Sequence, residues 1–145
     1  MTAQLALVAL GGAIGSVIRY LLQTWLNPVA GRTPPRPVHE AATDLASAPA
    51  FFSAFPLGTF LVNIIGCLLI GMLFSLTARY SPHSESIRLF GMTGLMGGFT
   101  TFSAFSLESV QLLRQDRPGL FIAYVSASIL VCLIATFIGI KLIRS

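Results

Sequence analysis

Hydrophobic positions along this chain gather into four long stretches, residues 4–26, 56–78, 89–111 and 119–143. Each is close to the ~20 residues that a helix needs to cross the hydrocarbon of a bilayer. Backbone polar groups in lipid must be satisfied internally, so such stretches fold as helices. The pattern predicts an all-α membrane protein with four transmembrane helices per subunit. Residues 1–145 then form a single transmembrane domain with one long proline-rich loop, residues 27–55. The first stretch has no Lys or Arg ahead of it. Its apolar run exceeds the roughly 7–15 residues of a secretory signal core, so it reads as a retained helix.

The third stretch breaks the simple pattern. It contains Gly94-Leu95-Met96-Gly97-Gly98-Phe99-Thr100-Thr101-Phe102-Ser103-Ala104-Phe105-Ser106-Leu107-Glu108. A lipid anchor would carry leucine and valine where this run has glycine, hydroxyls and phenylalanine. Glycine pairs weaken a helix and admit close approach of the backbone. Irregular backbone at membrane depth is tolerated where it is buried in protein or lines a polar cavity. The third helix is therefore expected to be broken near its centre, at a permeation or binding site.

Polar groups inside the other stretches point the same way, because such groups are costly in a bilayer and face the protein interior. Gly11 and Gly15 in the first stretch form a close-packing face for another helix. Arg19 follows one turn later. It either snorkels to the headgroups or draws anions into a vestibule. Thr59 and Asn63 share a face of the second helix. The Asn63 amide either bonds a neighbouring helix or donates to an anion. Tyr124, Ser128, Cys132 and Thr136 recur every fourth residue, a stripe of hydroxyls and one thiol along the fourth helix. Such hydroxyls often bond back to their own backbone, but a continuous stripe also makes a rail of donors beside a narrow path. Phenylalanines at 99, 102 and 105 read by their spacing as packing, but Phe102 and Phe105 stand beside hydroxyls and the glycine break, and aromatic rings have a positive edge that can face a small anion. Glu108 lies near the end of its stretch, where a helix-end or vestibule role fits better than a central cation site.

Composition narrows the class. The hydrophobic fraction is 54% and the charged fraction 10%, against about 25% charged in soluble domains; mean hydropathy is +0.82. The formal charge of +4 is scattered over loops and helix ends, without a basic patch or motif for nucleic acid. Cys67 and Cys132 sit in apolar stretches and read as small core residues, with no metal-ligand spacing and no disulfide framework. In the first loop, residues 39–50 suit a short surface helix, with Phe51, Phe52 and Phe55 at the interface. His39, Glu40 and Asp44 there, and His83 in the second loop, read as solvated positions rather than a metal site.

Charge also bears on orientation. Arg79, Arg88, Lys141 and Arg144 flank the helices on one side, and Arg32, Arg36, Arg114 and Arg117 on the other. Four against four gives the positive-inside rule no preference. Either the signal is weak, or the chain inserts both ways and pairs with an inverted copy of itself.

With these motifs in place, the chain resembles the Fluc (CrcB) family of small fluoride channels across all four stretches. Gly97-Gly98-Phe99-Thr100-Thr101-Phe102-Ser103-Ala104-Phe105-Ser106 resembles the family's third-helix signature. The Gly-x-x-x-Gly-x-x-x-Arg-Tyr run from Gly11 to Tyr20 resembles its first helix, and Pro56 to Gly66 its second. The resemblance implies an antiparallel homodimer of four-helix subunits in the plasma membrane, with two fluoride pores, passively exporting fluoride from the cytoplasm. It implies that Phe102 and Phe105 line the pathway with ring edges, alongside Ser103. Asn63 is implied to line the pore with Thr59 one turn earlier, and Tyr124, Ser128 and Thr136 to form the fourth-helix track. Arg19 would stand near the vestibule, with Glu108 the acid after the phenylalanine motif. A structural Na⁺ at the dimer centre is implied on the backbone carbonyls of Gly97 and Thr100 from both subunits, with no organic cofactor.

Three features depart from the family pattern. Ala104 stands where many relatives have threonine or serine, Cys132 replaces a common serine with a weaker donor, and the first loop is much longer than in compact members. The expected protein is a channel, not an enzyme. A small four-helix multidrug or cation transporter of dual topology is the main alternative. It would need a membrane-embedded acid in the first helix, and residues 4–26 contain no Asp or Glu. A structural subunit of a larger membrane complex would leave the donor rail and the interrupted helix without a use.

Overall fold

The computed structural model describes residues 1–26, 55–79 and 84–144. Most of the first loop, with the expected surface helix at 39–50, Phe51, Phe52 and the His39, Glu40 and Asp44 group, lies outside the described residues, as does His83. The described residues are helical throughout, with no strand among them. Helix α1 spans Thr2–Leu26 and α2 spans Leu57–Arg79. A short α3, Ser84–Ser86, leads into a π-helix, Ile87–Met96, followed by α4, Gly97–Phe99. Helix α5 spans Phe102–Arg114 and α6 spans Pro118–Arg144. Three helical spans are long and apolar enough to cross a membrane: Thr2–Leu26, Leu57–Arg79 and Pro118–Ile143, with mean hydropathies of 1.9, 2.3 and 2.4.

Two close helix pairings organise the bundle. In lipid there is little hydrophobic drive between helices, so small residues that let backbones touch supply the packing energy. Helix α1 lies against the π-helix and α4 through Gly11, Gly12 and Gly15. A Cβ added to Gly15 would stand 2.9 Å from the Phe99 nitrogen, and one on Gly94 would stand 3.0 Å from the Gly11 Cα. No larger residue fits this contact without parting the helices. The second pairing joins α2 and α6, which run parallel. Gly71 faces Thr136, and the Ser75 hydroxyl donates to the Ile140 carbonyl at 2.9 Å. Both pairs are 65 residues apart, so Thr59 stands level with Tyr124, Asn63 with Ser128 and Cys67 with Cys132. The polar faces of α2 and α6 thus meet along one seam. The two cysteines are free thiols and only half-buried on this seam, which corrects their reading as core residues.

The third stretch differs most from a single span over 89–111. Its helix begins at Ser84, widens to π-helical turns, stops after Phe99 and restarts at Phe102. An aromatic cluster packs beneath the restart. Tyr124, fully buried, and Leu112 and Leu120 gather Phe55, Phe60, Phe105 and Phe121 around them. Phe55 meets Phe60 and Tyr124 edge-on at 5.3 Å, the geometry that ring quadrupoles favour.

Candidate functional site

The site grows from two residues. Thr100 (φ −81°, ψ 158°) and Thr101 (φ −149°, ψ 114°) are extended between helical neighbours. Gly97, at φ −62° and ψ −38°, is itself helical, so the interruption falls just beyond the glycine pair. Gly98 serves packing instead: a Cβ there would meet the Gly12 Cα at 3.0 Å.

An interruption strands backbone groups that a bilayer cannot hydrate, and side chains take them up here. Asn63 reaches across from α2. Its Oδ1 accepts the Thr101 N–H at 2.9 Å, and its Nδ2 donates to the Thr101 carbonyl at 3.2 Å. One amide thereby substitutes for a helix on both sides of Thr101. The Thr101 hydroxyl caps α5 by accepting the Ala104 N–H at 3.2 Å, the usual N-cap bond. Ser103 Oγ lies 3.2 Å from that hydroxyl, on an exposed side chain. The Thr100 hydroxyl turns back onto the Met96 carbonyl at 2.8 Å. In a continuous helix the Thr101 N–H would bond the Gly97 carbonyl; here Asn63 holds that N–H, and Gly97 is exposed.

Phe102 opens α5 with 78% of its surface exposed. Its ring lies 5.6 Å from that of Phe105, and the Phe105 ring lies 5.3 Å from that of Tyr124. The three aromatics form a line from the exposed face into the bundle. At its inner end the Tyr124 hydroxyl donates to Glu108 Oε2 at 2.8 Å, and the Thr59 hydroxyl donates to Oε1 at 2.6 Å. Both hydroxyls donate to an acid that the sequence places near the end of its stretch. In the structure Glu108 is half-buried midway along α5, which runs on to Arg114, and takes its bonds from α2 and α6. Gln23 completes the group, its Nε2 donating to Thr59 Oγ1 at 3.1 Å. Sequence reading missed Gln23. The available signal was a carboxamide inside an apolar stretch, one turn after Arg19. Arg19 is half-buried on α1 and does not enter this hydrogen-bonded chain.

The fourth-helix stripe divides by partner. Tyr124 is held by Glu108, and the Thr136 hydroxyl donates back to the Cys132 carbonyl at 3.0 Å. The buried Ser128 hydroxyl has no hydrogen-bond partner among the described residues, and it stands level with Asn63. Together these groups offer weak donors and ring edges, with no cationic side chain among them. No cluster of three or more His, Cys, Asp or Glu suited to a metal occurs among the described residues. Carbonyl oxygens released near Gly97 are the groups that suit a hard cation.

Comparison with known proteins places this geometry in context. The family model for CrcB-like proteins, Camphor Resistance (CrcB), matches residues 6–140. A protein of Agrobacterium fabrum named fluoride-specific ion channel FluC is 43% identical over 141 residues, covering 97% of this chain and 96% of its own. Its namesake in Methylobacillus flagellatus is 42% identical, with 97% and 94% covered. That of Rhizobium johnstonii is 37% identical, with 98% and 97% covered. The three apolar spans, in a chain that matches these relatives nearly end to end, make this a multi-pass membrane protein. By the extent of the profile match and the identity of its relatives, the chain belongs to the CrcB family.

Proposed function

We propose that this chain is a fluoride-selective ion channel that lets fluoride leave the cytoplasm passively across the plasma membrane. The observation that carries the reading is the near full-length identity to proteins named fluoride-specific ion channels. The site is consistent with that chemistry. Fluoride is costly to dehydrate, so a conducting path needs several weak partners and no strong trap. Asn63, Ser128 and the ring edges of Phe102 and Phe105 are such partners. Thr59, Tyr124 and Glu108 build the inner wall, and Ser103 and Thr136 flank the path. Arg19 lies toward the end of α1 as a vestibule charge.

In this reading the segment from the π-helix to α5 is the third membrane crossing, broken at Thr100 and Thr101. The functional unit is an antiparallel homodimer, supported by the even split of basic residues and the exposed aromatic face at Phe102. A structural Na⁺ would be held at the two-fold axis by the carbonyls of Gly97 and Thr100 from both subunits. The released Gly97 carbonyl fits that role, and the ion would supply a fixed positive charge that anchors the dimer.

Reconstitution of the purified protein into liposomes tests the function. Liposomes loaded with fluoride should empty on addition of an ionophore that relieves the voltage, and liposomes loaded with chloride should stay full. Equal rates for the two anions, or no efflux of either, would exclude a fluoride-selective channel.

A further inference from the structure

Gln23 is tied to the site through a chain of hydrogen bonds with a fixed direction. A carboxamide nitrogen only donates. Its bond to Thr59 Oγ1, at 3.1 Å, therefore uses that oxygen as an acceptor. Thr59 has one proton, which goes to Glu108 Oε1 at 2.6 Å. Tyr124 has one proton, which goes to Oε2 at 2.8 Å. Every donor in the chain points toward Glu108, and α1, α2, α5 and α6 each contribute one member.

We propose that Gln23 is a positioning residue of the ion path: its amide occupies the Thr59 oxygen and so commits the Thr59 proton to Glu108. Without that amide, the Thr59 hydroxyl can turn back onto the carbonyl of Phe55 or Pro56, one turn earlier and just ahead of α2, as serine and threonine do in helices. Glu108 then loses one of its two donors. An acid short of a donor competes with a passing anion for the Tyr124 hydroxyl and shows the anion a bare oxygen. Gln23 does not itself line the path; it acts through Thr59.

This inference rests on the fluoride-channel reading, and two readouts separate the two ideas. The variants are Q23M, which keeps the length of the side chain without the donor, and Q23L as a second apolar replacement. T59V and the Q23M/T59V pair complete a double-mutant cycle. Infrared difference spectra of the carboxyl region, assigned to Glu108 by their loss in E108Q, report its hydrogen bonding and need no transport. Q23M should shift the Glu108 band and slow fluoride efflux by roughly tenfold, the scale of one lost bond to a charged group. The pair should be no slower than T59V alone, because Gln23 has nothing to act on once the hydroxyl is gone. An unmoved Glu108 band in both Q23M and Q23L would overturn the assignment, as would losses that multiply in the pair. If wild-type liposomes release no fluoride, the channel reading fails, and the infrared band still decides the role of Gln23.

Discussion

A single amide, that of Asn63, links the backbone interruption to the rest of the bundle. It holds both the N–H and the carbonyl of Thr101. Changing Asn63 to Asp keeps its size and the acceptor, but removes the donor to the Thr101 carbonyl and sets a negative group in the path of an anion. An unsatisfied buried acceptor costs about 1–3 kcal/mol. N63D should therefore lower the melting temperature in detergent and abolish most fluoride efflux. Phe102 offers the contrasting case, since 78% of its surface is exposed. F102I should melt close to wild type yet lose most efflux, because it keeps bulk and removes the polarised ring edge. Normal efflux in either variant would remove that residue from the path. Asn63 was legible in the sequence as a lone amide in an apolar stretch. Its partner was not, because the bond runs to main chain 38 residues away, and main-chain groups leave no compositional trace. Glu108 shows the same limit. It was legible as an acid near the end of its stretch, but its donors Thr59 and Tyr124 lie 49 and 16 residues away on other helices.

At the level of elements, the glycine pairings decide how closely helices stand. Gly139 abuts the α2 backbone, where an added Cβ would lie 3.0 Å from the Met72 nitrogen. Gly119, in the same helix, has nothing within 4 Å. Overpacking a close contact costs typically about 1–3 kcal/mol. G139V should thus melt well below wild type, and G119A should melt at the wild-type temperature or slightly above it. Thermal unfolding of the two variants side by side checks the seam. The four-residue spacing of Gly11 and Gly15 made the α1 contact readable in advance. The π-helix was not readable, since a small change of turn width leaves the run of apolar residues unaltered. Glycines at 97 and 98 drew attention to the right neighbourhood but for a different reason. Gly98 lets α4 touch α1, while the extended residues are the threonines that follow, whose side chains cap and back-bond.

For the whole molecule, the flat distribution of basic residues remains the feature that bears on assembly. With four on each side of the expected bundle, no orientation is favoured by charge. A single cysteine placed after Ser145, in a background with Cys67 and Cys132 changed to serine, should react with impermeant reagent from both faces of the membrane within one population. Reaction from one face only would exclude an antiparallel pair. The class of the protein was legible from composition and stretch length, because a bilayer imposes both. The first loop was legible only as proline-rich.

The chain of bonds from Gln23 through Thr59 and Glu108 to Tyr124 has a consequence for how the protein is made. Synthesis delivers α1 and α2 first and α6 last. Until α6 enters the membrane, Glu108 is without the Tyr124 hydroxyl, and a nascent chain carries a poorly satisfied acid at membrane depth. Such a group is expensive in lipid. Arrival of the final helix removes that cost, so completion of the bundle and relief of Glu108 are one event.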